Sequence, residues 1–188
     1  YDTKNAGTSK TVTASVGSDN YSANAGTSLD NYTLDTGLIT GSIGTITKKN
    51  VTLTAPTVSK TYDGTVAHTP TDANLSDLSD QLIGGDTVTT ATIAFSNKNV
   101  GTGKAITLSA VTIDDGNGGN NYSVTLANSV SGVITKAPLT IVAIDDAKFI
   151  TELDPAFTFV YNGFVNGETA SALATAGEFT VGSVTRSN

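Results

Sequence analysis

Hydrophobic and polar residues alternate along most of this chain with a period of two, which places every second side chain on one face of a strand. Val51 and Leu53 alternate with threonine, Ala91, Ile93 and Phe95 share a second face, and Ile106 and Leu108 share a third. Each run predicts a half-buried strand. Val111 and Ile113 fall on the opposite phase from Leu108, so a bulge or bend is expected near Ala110. NYSVTL from Asn121 and VSGVITK from Val130 read as two more strands, with turns at Tyr62-Asp63-Gly64 and across DDGNGGNN from Asp114. Two stretches break the pattern. Leu75, Leu78 and Leu82 lie at helical spacing and predict a short helix or a loop covering the sheet, and Thr169 to Ala176 predicts a short helix stopped at Gly177. Phe157, Phe159 and Tyr161 alternate as a strand ahead of that second helix.

The pattern also repeats. KNVGTGK at Lys98 to Lys104 recurs as KNAGTSK at Lys4 to Lys10, NYSV at Asn121 answers NYTL at Asn31, and GVITKAPLTIVA from Gly132 answers GTITKKNVTLTA from Gly44. The offsets of 94, 90 and 88 residues define a period near ninety, too long for a solenoid repeat and suited to a small domain. The expected organisation is the C-terminal part of one unit over residues 1–49, a complete unit over 50–136, and a different, truncated module over 137–188. Lys136-Ala137-Pro138 joins the last two directly, so tandem units set end to end with little freedom to swing are expected. The fold class is mostly β: small immunoglobulin-like or β-grasp-like domains with at most a short helix each.

Composition narrows the function. Glycine, threonine and β-branched residues suit short strands and tight turns. A net charge of −7, with Arg186 as the one arginine, argues against nucleic acid, whose phosphates need a basic footprint. No apolar run is long enough for a membrane span, and no leader precedes Tyr1, as expected of a processed chain or a piece of a longer one. The lack of cysteine in so small a β module fits a cytosolic chain or a bacterial surface protein, and the threonine, glycine and asparagine bias favours the latter.

TYDGT at Thr61, GGDTV at Gly84, FSNKNVGTGK at Phe95 and NNYSV at Asn120 together resemble the YDG repeat of large filamentous haemagglutinin-like bacterial surface adhesins. ITKAPLTI, DPAFTF and GFVNGETASAL resemble the MBG module that often follows such repeats. The resemblance implies an extracellular, repetitive, mostly β region at a Gram-negative cell surface. Lys148-Phe149-Ile150 stands where that module often shows a Tyr-Gly turn, so its first hairpin is expected to differ.

Several residues invite a chemical reading. Asp114, Asp115 and Asn117, with Asn120, could offer oxygen ligands to calcium, but an EF-hand needs an acid at position twelve, which is Leu126 here. A solvated turn without a cofactor is the simpler expectation. His68, the sole histidine, lacks the partners of a triad or zinc site and is expected in a surface loop. Asp145-Asp146 and Glu152-Asp154 read as acidic turns rather than a glycosidase pair. Tyr32 and Tyr122 occupy equivalent positions and are expected in the core, as are Val51 and Leu139. No catalytic set emerges. The expected role is a stalk that projects a distal binding region, its partners being neighbouring repeats of the same chain. The rivals are a module gripping a host or matrix glycan or protein, and a fibre self-association segment in biofilm.

Overall fold

The computed structural model describes residues 1–153, 155, 156, 158–178 and 180. In chain order its strands are β1 (Gly7–Val16), β2 (Gly37–Ile46), β3 (Lys49–Thr54), β4 (Ser59–Thr61) and β5 (Ala67–His68), then helix α1 (Asp72–Ser79). There follow β6 (Thr87–Phe95), β7 (Gly101–Asp114), β8 (Tyr122–Ala127), β9 (Ser129–Thr135), β10 (Thr140–Ala143), β11 (Phe159–Asn162) and α2 (Ala170–Thr175). The fold is mostly β, in several sheets with two short helices. Two compact units emerge, one from Tyr1–Leu53, Leu75–Thr90 and Val111–Leu126, the other from Thr54–Asn74, Ala91–Ala110 and the chain from Ala127 onward.

In the first unit β1 and β2 form an antiparallel ribbon, and β3 pairs with β8. Its core holds Leu53, Leu78, Val88, Ile113 and Tyr122. The leucine spacing is realised in part: α1 buries Leu78, whereas Leu82 lies past its end, half-buried. Ser79 stops the helix by turning its hydroxyl onto the Leu75 carbonyl (2.7 Å) while accepting the Val88 amide (2.8 Å).

The second unit holds most of a five-stranded sheet, ordered β4-β9-β7-β6-β5, whose edge strand β4 runs parallel to β9. Val58, Ile93, Phe95, Ile106, Leu108 and Ile134 are buried there. The expected faces of β6 and β7 are present. So is the break: Ala110 has φ +45°, a left-handed conformation that interrupts the pleat and moves Val111 and Ile113 to the other phase. Buried Gly132 admits no side chain, because a Cβ there would lie 2.5 Å from Ile106 Cδ1 and 2.9 Å from Phe95 Cε1. β10 pairs with β11, where Phe159 and Tyr161 alternate as expected; Phe157 lies outside the described residues. The second helix is also found, with Thr169 accepting the Ala172 amide at its start and Gly177 at φ +74° past its end.

Three burial expectations fail. Tyr122 is 4% exposed beneath the Ile83–Asp86 turn, whereas Tyr32 is 68% exposed. Leu139 is exposed, lying just ahead of β10, and Val51 in β3 is only half-buried. His68 lies not in a surface loop but in β5, half-buried, edge-on to Phe95 and 3.0 Å from the buried Asn74 side chain.

Candidate functional site

The Tyr62-Asp63-Gly64 turn is built by one lysine. Lys60 Nζ donates to Asp63 Oδ1 (2.7 Å) and to the carbonyls of Thr65 (2.9 Å) and Ala67 (2.8 Å), and it sits 5.5 Å from the centre of the Phe95 ring. Asp63 Oδ1 also accepts the Thr65 amide at 2.9 Å. Desolvation pushes the Asp63 carboxyl up, but Lys60 and the Thr65 donors outweigh it and hold the group below its usual value. Gly64 turns the chain at φ +77°, and a Cβ there would fall 2.4 Å from Asn166 Cβ. The Asn166 side chain donates to the Gly64 carbonyl at 3.2 Å. The glycine is therefore fixed twice, by backbone conformation and by close approach.

That geometry frees the Tyr62 side chain to reach Glu168, its hydroxyl 2.5 Å from Oε1. Lys98 Nζ donates to the same oxygen at 3.0 Å and stands 5.9 Å from the Tyr62 ring centre. All of these residues belong to the second unit. Glu168 is largely enclosed, its side chain 16% exposed, and the Tyr62 hydrogen bond, then Lys98, holds its carboxyl below the usual range. The hydrogen bond to Glu168 raises the Tyr62 phenol, and the same acid raises the Lys98 ammonium. A cavity of about 290 Å³ lies beside the clasp, lined among others by Val100, Ala137, Phe164, Val165 and Leu173.

A second clasp lies wholly within the first unit. Lys4 Nζ donates to Asp86 Oδ1 at 3.2 Å, while the buried Tyr122 hydroxyl lies 2.7 Å from Asp86 Oδ2 and accepts the Ile83 amide at 3.2 Å. Burial, then Asp86, raises the Tyr122 phenol. Alongside, the Ala6 amide donates to Asn121 Oδ1 at 2.7 Å.

The candidate calcium ligands Asp114, Asp115 and Asn117 meet different partners. Asp115 is buried, its Oδ1 accepting the amides of Asn117 (2.7 Å) and Gly119 (2.8 Å) and its Oδ2 that of Asn121 (2.9 Å). Desolvation raises this carboxyl, but the three amides prevail and its affinity for protons falls below normal. Asp114 instead faces solvent and accepts the Gly116 amide at 3.4 Å, while the Asn117 side chain donates to Asn121. Asp115 thus organises its own loop. Asp146 and Glu152 accept the amides of Ala147 and Phe149; Asp154 lies outside the described residues. Among the described residues no three acidic or histidine side chains converge as a metal site, and no helix is long and apolar enough to cross a membrane.

Neither Glu168 nor Asp86 stands out in the sequence as a functional residue. The signal that finds them is the likeness of Ile83-Gly84-Gly85-Asp86-Thr87 to Val165-Asn166-Gly167-Glu168-Thr169, taken with the repeated Lys4 and Lys98.

Residues 47–131 match the YDG domain, and residues 139–188 match the MBG domain of YGX type, although no Tyr-Gly pair occurs in that stretch. No curated protein and no solved structure matches the chain. Domains of these two kinds are associated with surface adhesin-like or repeat proteins and are typical of extracellular or surface-associated chains.

Proposed function

We propose that this chain is a length of stalk from a bacterial extracellular adhesin, a spacer that carries a distal binding region rather than a catalyst or a receptor-binding tip. One observation carries the reading: the polar groups that could have formed a site are consumed internally. Asp115 is held by three amides of its own loop, and Glu168 and Asp86 are each engaged by a lysine and a tyrosine. Such an arrangement stiffens the chain and offers a ligand little. The repetition around Lys4 and Lys98 and the acidic net charge, which keeps neighbouring chains apart, support the same role.

Deleting residues 50–136 from the full adhesin and rejoining the chain at the equivalent repeat position should shorten its reach, measured by single-molecule extension. The affinity of the distal region for its target should stay unchanged. A loss of that affinity would place recognition here and defeat the spacer reading.

A second reading, self-association in biofilm, draws on the β1–β2 ribbon, where Leu38 and Ile43 are 76% and 84% exposed. Sedimentation across a range of concentrations decides it: a concentration-dependent increase in mass favours association, and a constant monomer mass favours the spacer.

A further inference from the structure

The two clasps share a construction that neither fold nor linker requires. Lys4 and Lys98 are 94 residues apart and open the repeated KN-x-G-T-x-K run. Each donates to an acid that stands directly after two left-handed residues: Gly84 and Gly85 at φ +70° and +80°, Asn166 and Gly167 at φ +53° and +72°. Each turn is closed by the acid's own amide, Asp86 to the Ile83 carbonyl at 3.3 Å and Glu168 to the Val165 carbonyl at 3.0 Å. Asparagine replaces the first glycine because, among residues with a side chain, it best tolerates that conformation.

Small cavities accompany both clasps and are lined by corresponding residues. Ala6, Lys49 and Ile83 border one of about 250 Å³, and Val100, Ala137 and Val165 border one of about 290 Å³. Beyond the turn the two segments differ completely. Thr87 begins strand β6, whereas Thr169 caps helix α2. The turn is therefore common to two unlike structural contexts, so a shared fold downstream does not account for it. The tyrosines differ too: Tyr122 lies in the same matched domain as Asp86, whereas Tyr62 lies in the domain preceding Glu168. Only the lysine, the double left-handed turn and the acid are constant.

We propose that these three elements form an interchangeable docking joint, in which the lysine of one module grips the [Gly/Asn]-Gly-[Asp/Glu]-Thr turn of the next, whatever kind of module that is. The partner of the Lys98 face is then not this MBG-like segment in particular. A second copy of residues 47–131 would present Asp86 to Lys98 as Asp86 is presented to Lys4. The acid supplies the charge, the positive-φ pair sets its angle of approach, and the residue before the turn, Ile83 or Val165, forms part of the wall of the small cavity beside it.

The test is amide hydrogen exchange on the whole chain, read at the Tyr62 and Glu168 amides. Lys98→Gln and Glu168→Gln should each speed exchange there about three- to tenfold, as expected for loss of one partly enclosed charge-assisted contact. Two variants separate a specific joint from a merely damaged fold. Converting the turn to that of the other module, Val165→Ile with Asn166→Gly and Glu168→Asp, should preserve protection within about twofold, as should the exchanged pair Lys98→Glu with Glu168→Lys. Unchanged exchange in both single variants overturns the proposal, and so does a converted turn that loses protection while α2 stays folded. Adhesion does not enter this readout, so its failure is distinct from failure of the stalk reading.

Discussion

Ser9 and Gly103 share one backbone conformation, φ +54° and +64°, at equivalent positions of the two KN-x-G-T-x-K runs. The correspondence extends to their surroundings. Lys10 pairs with Gly44 and its Nζ lies 2.7 Å from Thr3 Oγ1, while Lys104 pairs with Gly132 and its Nζ lies 2.6 Å from Asn97 Oδ1. A serine in the left-handed region is strained relative to glycine. Ser9→Gly should therefore stabilise the β1–β2 ribbon, and Gly103→Ser should destabilise its own sheet, each by about 1 kcal/mol. A Cβ at Gly103 meets nothing closer than the Val130 carbonyl at 3.9 Å, so conformation alone sets that cost. Reversible denaturant unfolding of the three chains checks both signs.

Tyr122 and Tyr32 answer one another in sequence but not in environment. Tyr122→Ala should cost about 3 kcal/mol or more, the range for large aromatic truncations in a core, whereas Tyr32→Ala should stay within about 0.5 kcal/mol. Tyr122→Phe removes the hydroxyl from Asp86 and Ile83 and should cost about 1–2 kcal/mol. Thermal unfolding of the three variants tests the order; comparable losses at Tyr32 and Tyr122 would contradict it.

Acid should loosen the Glu168 clasp. The folded carboxyl lies below its ordinary value of 4.5, so its contribution is complete above that value and disappears as pH falls through the depressed folded one. Tyr62 and Lys98 have raised folded values, so their contributions are complete below the unfolded values of 10.0 and 10.5 and disappear as pH rises through the raised ones. Protection at the Glu168 amide should be flat between these limits and fall on both sides. In Glu168→Gln the acid limb attributable to this group should vanish.

Asp115 and Asp114 are neighbours with opposite fates. Asp115→Ala strands three backbone amides in a buried loop and should cost about 2–4 kcal/mol, while Asp114→Ala should change stability by less than about 0.5 kcal/mol. The depressed folded value of Asp115 adds an acid limb, with stability lost as pH falls below 3.8. Calcium at millimolar concentration should leave the melting temperature of the unsubstituted chain unmoved, because Asp115 already has its carboxylate oxygens engaged by Asn117, Gly119 and Asn121. An upward shift with calcium would show that the cation displaces those amides.

What sequence reveals here is local. The phase slip at Ala110, the alternation of Ile93 with Phe95 and the Thr169-to-Gly177 helix are each written within a few consecutive residues, where periodicity and capping operate. The misses are contacts across long stretches of chain. Val58 and Tyr62 bond to Val133 and Thr135 through strands of three and seven residues, and a two-residue strand carrying His68 leaves no period to detect. Glu168 reads as one of many surface acids until folding brings Tyr62, 106 positions away, against it. Tyr32 misleads for the opposite reason: its local pattern matches that of Tyr122, but burial depends on a covering turn elsewhere.

The parallel setting of β4 against β9 bears on how the second unit would meet tension. Force enters β4 from the Ser59 side and leaves β9 from the Thr135 side, so it drags the two strands past each other along their length. The Tyr62 amide to Thr135 carbonyl bond (2.8 Å) and the Val133 amide to Val58 carbonyl bond (3.0 Å) are then loaded together, in shear. An antiparallel pair pulled at the same end would unzip, its bonds failing singly. Rupture of this edge demands that its bonds break in concert, which favours high resistance to brief pulls such as those imposed by flowing fluid.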